Sequence, residues 1–487
     1  MVNRTAVSQE IRESLRLLPV SWLLHNALPG SISFQDWFRL SAPERRARWD
    51  ALNRLAPVLR TQPSDLLNYE AQQAPLAYFL LVPIDSAASR LELCQRIFVL
   101  RLFVAITSAL FLLVAANLLL RAFAVDGPFR IAALACIFES QMLWASIAHV
   151  DNDWLAIPLS ACFLALLVLA ARDSRPRYLL LLAALLTAGL LTKAYFLAFV
   201  PIFAAFLILR FLRRQVSLRT ALLSLVILLL AAPWYARNAI LYGSLSGTQE
   251  TVAGVSFHRL AGAFVHINWI TSTIDLFRWA LWTGNWSFVS FSRLTLNTEL
   301  FLLAAAFILF CAHLRQIRPG EWWAMAACCA FFVGLMYQTC VTWVATNGRA
   351  QHAEPWYLQC ILPCLWALVF LSLQQSGVLG RILAAAIVSI SAWVAAATYL
   401  LKLIPLYGGF TGRANIPAVL LWYRHLPLET LSQTVLGPLS LLFVALAVFL
   451  LLLAVLTIAL LRVFIPGRNP QPSQFRYNLP SDPSPQP

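Results

Sequence analysis

The stretch "FRIAALACIFESQMLWASIAHVDNDWLAIPLSACFLALLVLAA" (129–171) decides the fold. Its two apolar runs, near 129–148 and 154–171, each approach the roughly 20 residues a helix needs to cross a hydrocarbon core. Between them stands "HVDNDW" (149–154), with His149, Asp151 and Asp153 crowded at the mouth of the second run. A helix at a water interface keeps one polar face, whereas these runs are apolar almost all round, so their surroundings are lipid or other helices.

The same pattern recurs along the chain. About eleven windows meet the length criterion, near 98–122, 129–148, 154–171, 178–192, 194–210, 219–239, 299–315, 322–346, 355–373, 378–401 and 434–463. The fourth and fifth are joined by little more than "LTKAY", which reads as a tight hairpin or a broken helix. Of 487 residues 60% are hydrophobic and 12% charged, and the mean hydropathy is +0.73, outside the range of soluble domains. The expected fold is all-α, a polytopic transmembrane bundle of about eleven spans.

Thirty-six Lys and Arg against 21 Asp and Glu leave a net charge of +15. A nucleic-acid partner would want a continuous basic face; here the cations sit in short clusters between apolar runs, the pattern that orients a protein in a lipid bilayer. Arg121 with Arg130, "RDSRPR" (172–177), "RFLRRQVSLR" (210–219), Arg315 with Arg318, Arg381, and Arg462 with Arg468 mark the cytoplasmic side. The alternate connections then face outward: "HVDND", the turn at Lys193, the segment after "PWYARN" (233–238), "TNGRAQHAEPW" (346–356) and 403–433. The nine cysteines lie mostly within apolar windows, without a CxxC pair, and read as small packing residues.

Five regions follow. Residues 1–97 form an extracytoplasmic segment with amphipathic helices, such as "APERRARWDALNRLAP" (42–57). Residues 98–240 form the transmembrane catalytic core, and 241–298, with Trp269, Trp279, Trp282 and Trp286, an extracytoplasmic interfacial loop. Residues 299–465 are C-terminal transmembrane helices, and the Pro-rich 466–487 a disordered cytoplasmic tail. No cleavable signal is visible, yet this topology puts 1–97 outside. Either a helix precedes residue 1 or the apolar stretch 16–29, broken by Pro19, is a marginal first span.

Charges in such a chain are costly enough to need reasons. Asp151-Asn152-Asp153 offers oxygen ligands to a hard divalent ion such as Mg²⁺ or Mn²⁺, or a general base beside a helix cap, or capping alone. Lys193 interrupts a long apolar stretch and needs an anion or must snorkel outward. Arg237, beside Tyr235 and Asn238, is the kind of side chain that grips phosphate in two-pronged fashion. "NYEAQQAPLAYFLLVP" (68–83) brings Glu70, Gln72 and Gln73 to an interfacial run, and "GRAQHAEPWY" adds Arg349, His352 and Glu354. All reach the outer leaflet in this topology. A pocket there suits a substrate with an anionic headgroup and a lipid tail: Lys193 and Arg237 holding the phosphate, a carboxylate activating an acceptor hydroxyl. Arg101 and Glu139, inside spans, are expected to pair as a structural ion pair, with a proton or ion pathway as the functional alternative.

The order "NYEAQQAPLAYFLLVP", "HVDNDWLAIPL", "LLTKAYFLAFVP", "APWYARNAILYGS", over about residues 65 to 245, resembles the GT-C superfamily of integral-membrane glycosyltransferases, in particular the bacterial proteins related to dolichyl-phosphate-mannose mannosyltransferases. "GRAQHAEPWYLQCILP" adds to the likeness. The resemblance implies a many-helix fold in a bacterial inner (plasma) membrane, with an active site facing outward. It implies transfer of a sugar from a polyprenyl-phosphate donor to a lipid, glycan or protein acceptor. Asp151 and Asp153 match the family's acidic pair, and Lys193 sits in its Leu-Thr-Lys element beside Tyr195; Glu70, which matches no family carboxylate, is a further candidate catalytic residue. His149, Lys193, Tyr195, Arg237, Asn238, Gln72, Arg349, His352 and Glu354 are the expected substrate contacts, and Asp151 with Asp153 the metal ligands if a metal is used. Members begin with a transmembrane helix and an acidic residue after it; that helix is not seen here, so either it precedes residue 1, or Asp151, Asp153 or Glu70 takes the base role, or the chain as written is inactive. The alternative is a lipid or small-anion transporter or flippase, which tends to show two related halves and a site at mid-bilayer.

Overall fold

The computed structural model describes residues 6–20, 28–245, 254–282, 291–410, 415–426, 428–434 and 438–464. Among them, eight helices are long and apolar enough to cross a membrane: Leu93–Ala122, Asp153–Arg172, Ala194–Leu212, Leu218–Tyr242, Arg293–Ala312, Pro319–Ala345, Gly377–Tyr407 and Leu439–Leu456. The chain is thus a helical, multi-pass membrane protein. Each of the eight falls on one of the expected windows. The remaining three windows hold shorter pieces. Pro176–Leu190 has 15 residues and Leu362–Gln375 has 14. The window 129–148 is split into Gly127–Glu139 and Gln141–Ile147 by Ser140, which is extended and caps the second piece by accepting from the Leu143 amide.

Asp153–Arg172 is the central helix, and its hydropathic window is 78% buried, against 6% for Leu439–Leu456. Leu93–Ala122, Pro176–Leu190 and Pro319–Ala345 pack around it, and Ala156, Ala161, Phe163, Leu164 and Ala165 are fully inaccessible. Small residues set the approach: a side chain at Gly320 would come within 2.8 Å of the Val168 carbonyl oxygen. At one end of this packing, Arg172 Nη2 lies 3.0 Å from Glu321 Oε1, while Glu321 Oε2 accepts from the Arg318 amide at 2.8 Å. That tie fastens the two long helices at their "RDSRPR" and Arg318 ends. The peripheral helices expose apolar side chains such as Phe301, Ile308, Leu451 and Leu452, as expected where the solvent is hydrocarbon.

Between the fourth and fifth windows the chain breaks. Pro176–Leu190 ends in a turn whose Lys193 amide bonds to the Gly189 carbonyl at 2.8 Å. Lys193 itself is extended, and a 3₁₀ turn, Ala194–Phe199, starts the return. Of the two expected forms this is the tight hairpin. Gly189 makes it possible: a Cβ there would overlap the Phe196 ring. Gly189→Ala is therefore expected to destabilise the protein by about 1–3 kcal/mol through overpacking, read as a lowered melting temperature; an unchanged melt would show that the hairpin yields easily.

In the N-terminal segment, Ala42–Asn53 is helical, its start secured by Glu44 accepting from the Ser41 amide at 2.8 Å. Around 16–29, helix Gln9–Leu17 ends and Pro19–Val20 pairs in parallel with Ile32–Ser33, so the described part does not continue as a helix; residues 21–27 lie outside the described residues. So do Trp286 and the tail from residue 465 onward.

Arg101 and Glu139 do not form the expected ion pair. Arg101 Nε donates to the Ala148 carbonyl at 2.9 Å, anchoring the start of "HVDND". The break at Ser140 leaves Glu139 beside Glu299 instead.

Candidate functional site

The start of Asp153–Arg172, the hairpin at Lys193, the segment before helix Leu76–Ala87 and the 3₁₀ turn Pro355–Cys360 meet at one end of the bundle. The Leu76 amide bonds to the Leu191 carbonyl at 2.9 Å, fixing the "QQAP" segment against the hairpin.

Lys193 does not snorkel. It is 8% exposed, and its Nζ lies 2.6 Å from Asp153 Oδ1, with the aspartate side chain 1% exposed. Tyr195 OH donates to the same oxygen at 3.0 Å and accepts from Cys360 Sγ at 2.7 Å. The rings of Tyr195 and Tyr357 flank the ammonium, with centroids 5.2 and 5.1 Å away. Two buried charges are expensive unless paired and hydrogen-bonded, and here both conditions hold.

Asp151 plays a different part. Its Oδ1 accepts from the Asp153 amide at 2.8 Å, so it caps the central helix. Its Oδ2 lies 3.4 Å from His149 Nδ1, and the two side chains keep 25% and 55% exposure. Asn152 donates to Gln73 Oε1 at 3.1 Å, linking the acidic loop to the "QQAP" segment. Asp153 is thus engaged by an ammonium, and Asp151 by a backbone amide with His149 at 3.4 Å.

Beside Lys193 opens a groove of about 670 Å³. Gln72, Gln73, Lys193, Tyr195 and Tyr357 line its polar part; Leu197, Ala198, Ile202, Val333 and Gly334 belong to its apolar walls, between Ala194–Leu212 and Pro319–Ala345. Tyr337 and Gln338 add polar groups to the second wall.

The other expected residues lie around this core. Arg237 Nη1 donates to Asn238 Oδ1 at 2.9 Å, and its guanidinium stacks over Trp234 and Tyr242 at 4.6 and 5.7 Å. It does not line the groove with Lys193. Asn238 donates to the Gln72 carbonyl at 2.9 Å, and Tyr235 to that of Leu190. Both hold the "PWYARN" helix against the site. Arg349 is exposed, and His352 Nδ1 lies 3.0 Å from the Ala353 carbonyl. Glu354 precedes the turn that delivers Tyr357 and Cys360; burial pushes its carboxyl above the usual range, and nearby His352 pulls it back down. The Glu70 side chain lies outside the described residues, although its backbone belongs to the 3₁₀ turn Tyr69–Gln72.

Tyr357, Cys360, Tyr337 and Gln338 were not among the expected site residues. The signal for Tyr337 and Gln338 is their polarity within an apolar span. For Cys360 there is none, because a thiol reads as packing until its neighbour is known.

Comparison of the chain with protein-family models, with curated proteins and with solved structures finds no match.

Proposed function

We propose that the protein is a membrane glycosyltransferase of GT-C type that moves a sugar from a polyprenyl-phosphate donor to an acceptor at the extracytoplasmic face of a bacterial inner membrane. The observation that supports it best is the groove itself: apolar walls along two spanning helices lead to a polar end holding Lys193, Gln72, Gln73 and Tyr357. That is the shape and polarity of a lipid chain ending in a phosphate. In this reading the three shorter helical segments cross with the other eight, for eleven spans, and the basic loops face the cytoplasm.

The phosphate lies near Lys193, whose charge Asp153 keeps in place. An acceptor hydroxyl approaches from the side of Asp151, the more exposed of the two carboxylates. Asp151 takes the hydroxyl proton as the acceptor oxygen bonds to the sugar C1. The C1–O bond to phosphate breaks, and polyprenyl phosphate leaves with the electron pair. Lys193 stabilises the charge gathering on the leaving phosphate. His149, 3.4 Å from Asp151, is placed to receive the proton in turn.

The test is transfer of radiolabelled sugar from polyprenyl-phosphate donors in proteoliposomes containing the purified full chain. Covalent transfer to an added lipid, glycan or protein acceptor supports the reading. Movement of donor between leaflets without transfer would point to the flippase instead. Activity is expected to survive exhaustive chelation of Mg²⁺ and Mn²⁺, because Lys193 already neutralises Asp153; loss on chelation, reversed by added Mn²⁺, would put a divalent ion at Asp151 and Asp153.

A further inference from the structure

Away from this groove, a second cluster of polar side chains is sealed among apolar helices. Glu139 ends Gly127–Glu139, and Glu299 projects from Arg293–Ala312 with 4% exposure. Ser391, on Gly377–Ala396, donates to Glu299 Oε1 at 3.1 Å. Gln141 and Trp366 also line the gap, which holds about 10 Å³.

Three buried atoms at this gap have no protein partner: Glu139 Oε2, Gln141 Oε1 and Trp366 Nε1. Gln141 and Trp366 are each 2% exposed, so bulk water cannot serve them. Two are acceptors and one is a donor. One water bound here would accept from Trp366 and donate to Gln141 and Glu139, and a gap of about 10 Å³ is at the lower limit of the space a water needs. The indole N–H argues against a metal cation, since it would point a positive hydrogen at it.

The titratable groups facing the two carboxyls are each other and Cys136, and no cation pairs with either among the described residues. Two carboxylates that share a site in a low-dielectric interior cannot both ionise.

We propose that Glu139 and Glu299 form a buried proton-binding site that holds one bridging water and at least one proton at neutral pH. The site abuts the groove region through a shared partner: Ser140 Oγ and Gln359 Nε2 both donate to the Ala280 carbonyl, at 3.2 and 2.6 Å, and Gln359 adjoins Cys360. The inference does not depend on the transferase reading.

Infrared difference spectra of the full chain in lipid nanodiscs test it. At neutral pH the wild type is expected to show a carboxylic-acid C=O band that is missing from the Glu139→Gln/Glu299→Gln double variant. Its melting temperature is expected to fall as pH rises into the alkaline range, since the folded state holds a proton that the unfolded chain releases, whereas the double variant, whose amides mimic neutral acids, should respond less. Absence of a variant-sensitive acid band overturns the proposal. So does stabilisation by Na⁺ over choline that the double variant loses, which would make the site a cation site. Should the double variant fail to fold, Ser391→Ala serves: loss of the hydrogen bond to Glu299 should shift the acid band, and an unmoved band overturns the proposal equally.

Discussion

Replacing Lys193 by methionine is expected to cost the protein about 3–5 kcal/mol, because it strands the Asp153 carboxylate in a buried site with only the Tyr195 hydroxyl for a partner. The aspartate side chain is 1% exposed, so without the ammonium it is left poorly hydrated. Asp153→Asn in the same chain should restore most of the loss, since a neutral amide still accepts from Tyr195 and a methionine fills the volume of the lysine stem. Equilibrium unfolding in mixed micelles of the two single variants and the double variant gives the coupling directly. Near-additive losses would show that the pair contributes little and that Lys193 is held by the two aromatic rings alone. On the transferase reading neither the double variant nor Lys193→Met transfers sugar, because the phosphate has lost its cation. A stable yet inactive double variant therefore separates the structural role of the pair from its chemical one.

The second large effect is expected at Asp151. Asp151→Asn should lower sugar transfer by roughly 10²–10⁴-fold, the usual contribution of a positioned base. Folding should be nearly unchanged, because an asparagine Oδ1 can keep accepting from the Asp153 amide and cap the central helix as before. Transfer measured in proteoliposomes, alongside the melting temperature, reads both quantities. A variant with unaltered turnover would remove Asp151 from the chemistry and leave it as a cap.

Much of the architecture is written in local composition. An apolar run of membrane length has few alternatives to a helix, since unpaired backbone groups in hydrocarbon cost several kcal/mol each. The eight long helices follow from that rule alone. Where it gave the wrong shape, a single residue decided: Ser140 competes for a backbone amide and breaks the window 129–148.

Of the site, the acidic loop, the lysine and its tyrosine were legible because ionisable groups are rare in such a chain and each needs a reason. Their partners were not. Arg101 and Glu139 looked like a natural pair from sequence, and neither chose the other: Arg101 took the Ala148 carbonyl, and Glu139 came to lie beside Glu299, 160 positions away in the chain. Arg237 looked like a companion to Lys193, but it stacks on Trp234 and Tyr242.

The sequence alone determined that this chain lives in a bilayer and where its polar groups cluster, because solvent preference is a property of each segment and survives without tertiary contacts. Only the tertiary structure decided that Lys193 meets Asp153, that Cys360 reaches Tyr195, and that two glutamates share a sealed gap. Pairing depends on the rotation and depth of helices relative to one another, set by features such as Gly320 against Val168 and the hairpin at Gly189, and a span's composition carries no record of its neighbours.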